Sequence, residues 1–298
     1  MKQKRDNMKI GFAGLGRMGF AMAQRLLQAG VDLTVWNRTK SKAQDLLDQG
    51  AKWAETPLEL TENCEILFSM VADDQAVKDM YTSEAGLLQG GLNGKLFIEM
   101  STVHPATIRE LAEMICQKGG SLIDSPVSGT VVHAREGSLI ALMGGDEESI
   151  SRAKPVLGTF CKSMKHIGPV GTGMVMKLVL NMPMNIYSYA LSEALAIGVK
   201  AGIDLKSMLE FIAESPAGIK VLPVKIPAIL QATEEVSFDI KGVKKDLANM
   251  ISAGQFYGVP TPAASITLLS YTTAVADGWG DRDWGAIVPY FIEKVLKM

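Results

Sequence analysis

The sequence predicts an α/β domain with a doubly wound, mostly parallel sheet over residues 1–169, followed by an all-α domain over residues 170–298. Three observations carry this expectation. From Met8 to about Ile167, short apolar runs alternate with amphipathic stretches. A glycine-rich turn joins the first run to the first amphipathic stretch. After Gly168 the strand signals stop, and long segments of helical period take over. Such alternation is βαβ logic, in which right-handed crossovers build a parallel sheet with its ligand crevice at the carboxyl ends of the strands.

Taken in order, the runs 9–13, 33–36, 66–70, 96–99 and 121–124 each suit a buried strand, and the segments 20–28, 41–49 and 105–117 suit the helices between them. In the second half, helical periods cover 174–201, 205–213, 241–255 and 262–276, broken by Gly202, Pro216, Pro223 and Pro260. A terminal helix is expected from near Trp284 with Asp283 as its N-cap. The run from Trp279 to Trp284 could be a binding box, but packing and capping are the plainer reading. No internal repeat, low-complexity tract or extended charge run is evident.

Composition narrows the partners. With 298 residues the chain can bury a sizeable core in two ordinary domains. Hydrophobic residues at 47%, charged residues at 21% and a formal charge of -2 give no polyanion-binding surface, so nucleic acid is not an expected partner. Cys64, Cys116 and Cys161 are far apart and lack CxxC spacing, as reduced packing residues of a cytoplasmic protein would be. Residues 1–7 are polar and basic without a following apolar h-region, so a signal peptide is not expected. The most membrane-like stretch, 173–199, is interrupted by Lys177, Asn181, Pro183 and Glu193, each expensive in a bilayer, and reads as a helix buried in protein.

The turn after the first strand is Gly14-x-Gly16-x-x-Gly19, with a strand before it and an apolar-periodic helix after it. In that setting the motif is a dinucleotide-binding fingerprint, and the α/β domain is predicted to be a Rossmann domain. Gly14 permits the tight turn, Gly16 lets the backbone approach the pyrophosphate, and Gly19 allows close helix–strand packing. The helix N-terminus adds unpaired N–H groups and positive dipole. All of Gly14, Leu15, Gly16, Arg17, Met18 and Gly19 are expected to line the cofactor. The second strand ends in Asn37-Arg38-Thr39, where an acid would bind the ribose 2′-hydroxyl of NAD. The acid is missing. A guanidinium and a hydroxyl suit a 2′-phosphate, so NADP is preferred, with NAD possible; a merely solvated Arg38 would leave the preference open.

Two further constellations concern the reacting centre. Asp124-Ser-Pro-Val-Ser-Gly-Thr130 follows a predicted strand, so the Ser128 hydroxyl and the N–H groups of Gly129 and Thr130 could cradle a carboxylate, unless this is an ordinary Ser-Gly turn. Lys177 and Asn181 stand at i and i+4, on one face of an otherwise apolar helix. A lysine there is either snorkelling to the surface or in use. Beside a nicotinamide ring it could donate the proton that a reduced carbonyl needs, with Asn181 holding lysine and substrate oxygen in position. Pro183 should bend this helix just beyond. His104, His133 and His166 are isolated, so neither a metal site nor a histidine triad is expected.

Together, the glycine turn, Glu99-Met-Ser-Thr102, Asp124-Ser-Pro-Val-Ser-Gly, Gly171-x-Gly-x-x-x-Lys177-x-x-x-Asn181 and Phe238 with Lys245-Asp246-Leu247 resemble the β-hydroxyacid dehydrogenase family, in order and across nearly the whole chain. That family includes 3-hydroxyisobutyrate dehydrogenase and the tartronate, glyoxylate and succinic semialdehyde reductases. The resemblance implies a hydride transfer between NADP and a small β-hydroxyacid or its semialdehyde or keto acid. It implies Lys177 as the acid/base, Ser128, Gly129 and Asn181 on the substrate, and Thr102 and Lys245 on the nicotinamide half of the cofactor. Met70 and Val71 would pass beside the nicotinamide ribose, while Phe238 and Asp246 would help close the pocket. Thr130 departs from the pattern, since relatives commonly have a second glycine there, and this alters the carboxylate pocket.

Two other functions share these features: imine reduction, which usually goes without a lysine at this place, and a catalytically silent NADP-binding module. The helix from Met174 to Lys200 is apolar on most of its circumference, so a homodimer or homotetramer is expected.

Overall fold

A computed structural model describes residues 8–297; the residues 1–7 on which the absence of a signal peptide was read lie outside this range. The chain forms two compact units, Met1–Leu178 and Val179–Met298.

The first unit is built on one sheet. Its strands are β1 (Lys9–Ala13), β2 (Asp32–Trp36), β3 (Lys52–Trp53), β4 (Ile66–Ser69), β5 (Leu96–Glu99), β6 (Ser121–Asp124), β7 (Val127–Ser128), β8 (Leu139–Gly144) and β9 (Cys161–Gly168). The order is β3-β2-β1-β4-β5-β6-β8-β7, with β9 on β8. Pairing is parallel from β3 through β6, while β8 runs antiparallel to β6 and β7. The chain moves outward from β1 to β3 and then returns to place β4 on the other side of β1. That reversal opens a crevice at the carboxyl ends of β1 and β4, where a doubly wound sheet takes its ligand.

Both faces of the central strands are buried, which is why they read as continuous apolar runs. Ile10, Phe12, Phe68 and Ile98 fill one core, with the Phe12 and Phe68 rings stacked at 5.7 Å. Ala13, Leu67 and Phe97 alternate into the other, with Tyr81 against Phe97 at 6.1 Å. Helices α1 (Arg17–Gln28), α2 (Gln44–Asp48), α3 (Pro57–Asn63), α4 (Asp74–Thr82), α5 (Pro105–Gln117), α6 (Val131–Glu136) and α7 (Glu147–Leu157) supply the crossovers and covers.

Helix α8 (Thr172–Lys200) continues through Pro183, and the division between the units falls within it. The second unit is helical: α9 (Leu205–Glu214), α10 (Leu222–Ile229), α11 (Ile240–Phe256), α12 (Pro262–Ala276) and α13 (Ile287–Leu296). Asp283 caps a short 3-10 turn before α13 through the Gly285 N–H at 2.9 Å. Its carboxylate also holds the buried Lys225 ammonium at 2.8 Å, a pairing the sequence did not suggest. Among the described residues, no helix is long and apolar enough to cross a membrane.

Strands β3, β7, β8 and β9 and helices α3, α4, α6, α7 and α10 lie outside the segments named from the sequence. β3 and β7 have two residues each, too short for a period to register. β8 was passed over beside them, and β9 pairs with β8 along one side only and is largely exposed, so its sequence Cys-Lys-Ser-Met-Lys-His-Ile-Gly has no apolar run. Helix α10 was hidden by Pro223 and Pro227; the first sits in the opening turn, where a missing N–H costs nothing. Cys64 and Cys161 are buried, but Cys116 lies on the solvent side of α5, which corrects its reading as a packing residue.

Candidate active site

The turn after β1 has the form its three glycines require. Gly14 has φ +98, and a β-carbon there would collide with the Met70 carbonyl oxygen. One on Gly19 would collide with the Gly14 carbonyl oxygen, whereas one on Gly16 would meet nothing within 4 Å. Gly16 is the N-cap of α1, and the first intrahelical bond is Phe20 N–H to the Gly16 carbonyl at 2.9 Å. The amides of Arg17, Met18 and Gly19 therefore precede the helical ladder, and no acid stands in that turn. Open space at Gly16 beside a positive helix end fits a pyrophosphate.

Asn37, at the end of β2, does more than replace an acid. Its Oδ1 accepts the Leu15 N–H at 2.9 Å, and its amide donates to the Thr39 carbonyl at 2.9 Å. It thereby ties the glycine turn to the segment carrying Arg38 and Thr39, both exposed at the sheet edge. On the far side of the crevice, the Val71 N–H donates to Ser101 Oγ at 2.8 Å, and Met70 and Thr102 stand half-buried in the turns after β4 and β5. Beneath them, Glu99 is fully buried. It accepts the Ser101 N–H at 2.8 Å and the Ser69 hydroxyl at 2.5 Å. Burial pushes its carboxyl up to about 7, against those bonds.

Ser128 ends β7, paired with Ile140 of β8. Gly129 follows with φ +132, and a β-carbon there would press on Leu139 and His133. The Thr130 N–H reaches His133 Nδ1 at 3.1 Å, with Thr130 Oγ1 2.9 Å from the same nitrogen, forming a capping box for α6. That arrangement engages the Thr130 amide within the cap of α6. His104 caps α5 through the Ala106 N–H at 3.1 Å, and His166 meets the Gly145 carbonyl at 2.9 Å. Among the described residues, no group of three or more His, Cys, Asp or Glu could hold a metal ion.

Lys177 Nζ donates to the Val127 carbonyl at 2.8 Å, which brings the ammonium to the residue preceding Ser128. Its helix is held from the end of β6. The buried Asp124 carboxylate accepts the N–H groups of Gly171 and Met174, both at 2.6 Å. Burial pushes the Asp124 carboxyl up to about 6, opposed by those two bonds and by the Arg109 charge. Gly173 makes room for this contact, since a β-carbon there would collide with the Leu142 carbonyl oxygen and press on the Asp124 carboxylate, whereas one on Gly171, at φ +89, would meet Arg109.

Within the helical unit, the Asn181 amide donates to Asp246 Oδ2 at 3.2 Å, and Lys245 Nζ lies 2.8 Å from Asp246 Oδ1. Asp246 is buried and thus orients the other two, while Phe238 is exposed at the entry to α11. Sequence reasoning assigned no role to Asp124, Glu99 or His133. The signal for the two acids was available: a carboxylate ending an apolar strand is expensive to bury without a purpose.

Residues 9–168 match the model for the NAD binding domain of 6-phosphogluconate dehydrogenase, and residues 171–291 that for the NAD-binding region of NADP-dependent 3-hydroxyisobutyrate dehydrogenase. Glyoxylate/succinic semialdehyde reductase 2 of Arabidopsis thaliana is 33% identical over 94% of this chain and 78% of its own. The chain belongs to the β-hydroxyacid dehydrogenase family. As a β-hydroxyacid dehydrogenase it is an NAD(P)-dependent oxidoreductase acting on CH–OH groups. The 3-hydroxyisobutyrate dehydrogenase of Mycobacterium tuberculosis, solved with L-serine, shares the fold with a TM-score of 0.85, at 25% identity, over 95% of this chain and 98% of that one. The cytokine-like nuclear factor N-PAC of Xenopus tropicalis is 34% identical over 95% of this chain, which spans only 53% of its length.

Proposed function

We propose that this β-hydroxyacid dehydrogenase prefers NADP and acts on a small β-hydroxyacid or the corresponding semialdehyde or keto acid, with Lys177 as general acid/base. The observation that carries the reading is the Lys177 ammonium held at the Val127 carbonyl, next to Ser128 and Gly129. A half-buried lysine fixed beside a hydroxyl and a backbone amide can serve one substrate that bears both a carboxylate and a carbonyl.

A nicotinamide cofactor, when bound, would supply or accept the hydride. Lys177 gives a proton to the substrate oxygen in reduction and removes it in oxidation, and the Val127 carbonyl fixes the direction of the ammonium. Ser128 and Gly129 hold the carboxylate. Thr130, kept in its capping box by His133, shapes the pocket wall. Asn181, oriented by Asp246, and Phe238 take part in substrate binding from the helical unit. Gly14 to Gly19 take the pyrophosphate, Asn37, Arg38 and Thr39 the 2′-phosphate end, and Met70, Val71, Thr102 and Lys245 the nicotinamide half. Residues 1–169 carry the dinucleotide fingerprint together with Ser128 and Gly129, and residues 170–298 carry Lys177, Asn181 and the surfaces for assembly.

The exposure of Ile197 at 73% and Phe211 at 77%, with Ile266 and Leu269 also exposed, supports a homodimer or homotetramer that covers them. Reduced cysteines favour the cytoplasm.

The deciding experiment follows NADPH and NADH oxidation with glyoxylate and with succinic, tartronate and methylmalonate semialdehydes, and tests 3-hydroxyisobutyrate and serine in the oxidative direction. Turnover that prefers NADPH and drops ~10²–10⁴-fold in Lys177→Ala is expected. A second reading, a silent NADP-binding module, draws on the nuclear-factor relatives; NADPH binding without turnover of any substrate would favour it.

A further inference from the structure

Glu99 is fully buried at the carboxyl end of β5, and the chemistry proposed above gives it no part. Desolvating a carboxyl there is costly unless its acceptors are filled, and they are filled in a particular way. One oxygen takes the Ser101 N–H at 2.8 Å; the other takes the Ser69 hydroxyl at 2.5 Å, which lies 2.9 Å from the Tyr81 hydroxyl. Ser101 then turns its own hydroxyl to the Val71 N–H at 2.8 Å. The carboxyl group therefore joins the turn after β5 to the last residue of β4, and Ser101 carries the link on to the turn after β4. Thr102 belongs to the first of these, Met70 and Val71 to the second.

We propose that Glu99 is a positioning residue for the nicotinamide half of the cofactor, fixing the spacing of the two turns that carry Met70, Val71 and Thr102 without touching the cofactor itself. This rests on the proposed assignment of those three residues. A role confined to core packing predicts something different, because a loosened core does not discriminate between the two ends of one ligand.

The test titrates the full chain calorimetrically with NADPH and with adenosine 2′,5′-bisphosphate, which carries the 2′-phosphate but no nicotinamide. Glu99→Gln keeps the volume and replaces one acceptor by a donor. NADPH should bind about tenfold more weakly, with affinity for the bisphosphate unchanged. Ser101→Ala removes only the hydroxyl that receives Val71 and should reproduce the selective loss even if Glu99→Gln fails to fold. The double variant should lose little more than either alone, since both break one chain of bonds. Equal weakening of both ligands, or no weakening in folded variants, overturns the proposal. Thr102→Ala separates the two levels. Unchanged NADPH affinity there overturns the assignment of the turns and the proposal with it, whereas a loss in Thr102→Ala without one in Glu99→Gln overturns the proposal alone.

Discussion

The Asp124 carboxylate receives the Met174 N–H at 2.6 Å, one helical turn before Lys177. A buried acid at a strand end thus sets where the helix carrying the lysine begins. Asp124→Ala leaves two buried N–H groups unsatisfied and should cost about 1–3 kcal/mol each in stability. Single-turnover rates should fall as well, because the Lys177 ammonium loses its fixed height. Asp124→Asn, which keeps one carbonyl acceptor, should lose less in both thermal unfolding and rate.

Gly14 and Gly16 separate fold from binding. Gly14→Ala forces a β-carbon onto the Met70 carbonyl at φ +98 and should lower the melting temperature sharply. Gly16→Ala meets open space, so melting should hardly move while NADPH affinity collapses. Scanning calorimetry beside fluorescence titration of NADPH distinguishes the two.

Arg38→Ala should raise the KM for NADPH about tenfold, the worth of a charge-assisted bond, and leave that for NADH nearly unchanged. Asn37→Asp should move preference towards NADH by offering the ribose a carboxylate. An acid there still accepts the Leu15 N–H, which keeps the glycine turn tied, while the bond to the Thr39 carbonyl is lost. Equal effects on both cofactors would remove Arg38 from the 2′-phosphate site.

Burial raises two carboxyls, Glu99 from 4.5 to about 7 and Asp124 from 3.8 to about 6. Each stays protonated in the folded chain over a range where the unfolded chain has ionised. Their contribution is therefore full below the unfolded values and is lost as pH rises through the folded ones. Melting of Glu99→Gln should fall less than that of the parent as pH is raised from 4.5 to 7, the interval over which Glu99 ionises differently in the two states. Parallel slopes would show that Glu99 is ionised in the folded state throughout.

The parallel half of the sheet, the two-residue β3 apart, was legible because strands covered on both faces have no choice but continuous apolar runs, as in Leu96–Glu99 and Ser121–Asp124. Strand β9 was not, because an edge exposed to water imposes no such pattern on its residues. At the site, glycines announced themselves by spacing and Lys177 by standing out against Met174 and Leu178. What stayed hidden were the partners. Nothing in the sequence says that Val127 accepts from Lys177 or that His133 folds back on Thr130, since those bonds depend on how β7 meets α8 and how α6 starts.

Cys116 stands on the outer side of α5 while Cys64 and Cys161 are enclosed, their thiols pushed up to about 11 and about 12 by burial. The chain therefore carries its own clock. A thiol-directed reagent should mark one site at once and the other two only as fast as the sheet opens, so mass spectrometry of the labelled chain would time the opening of the α/β unit without any substitution.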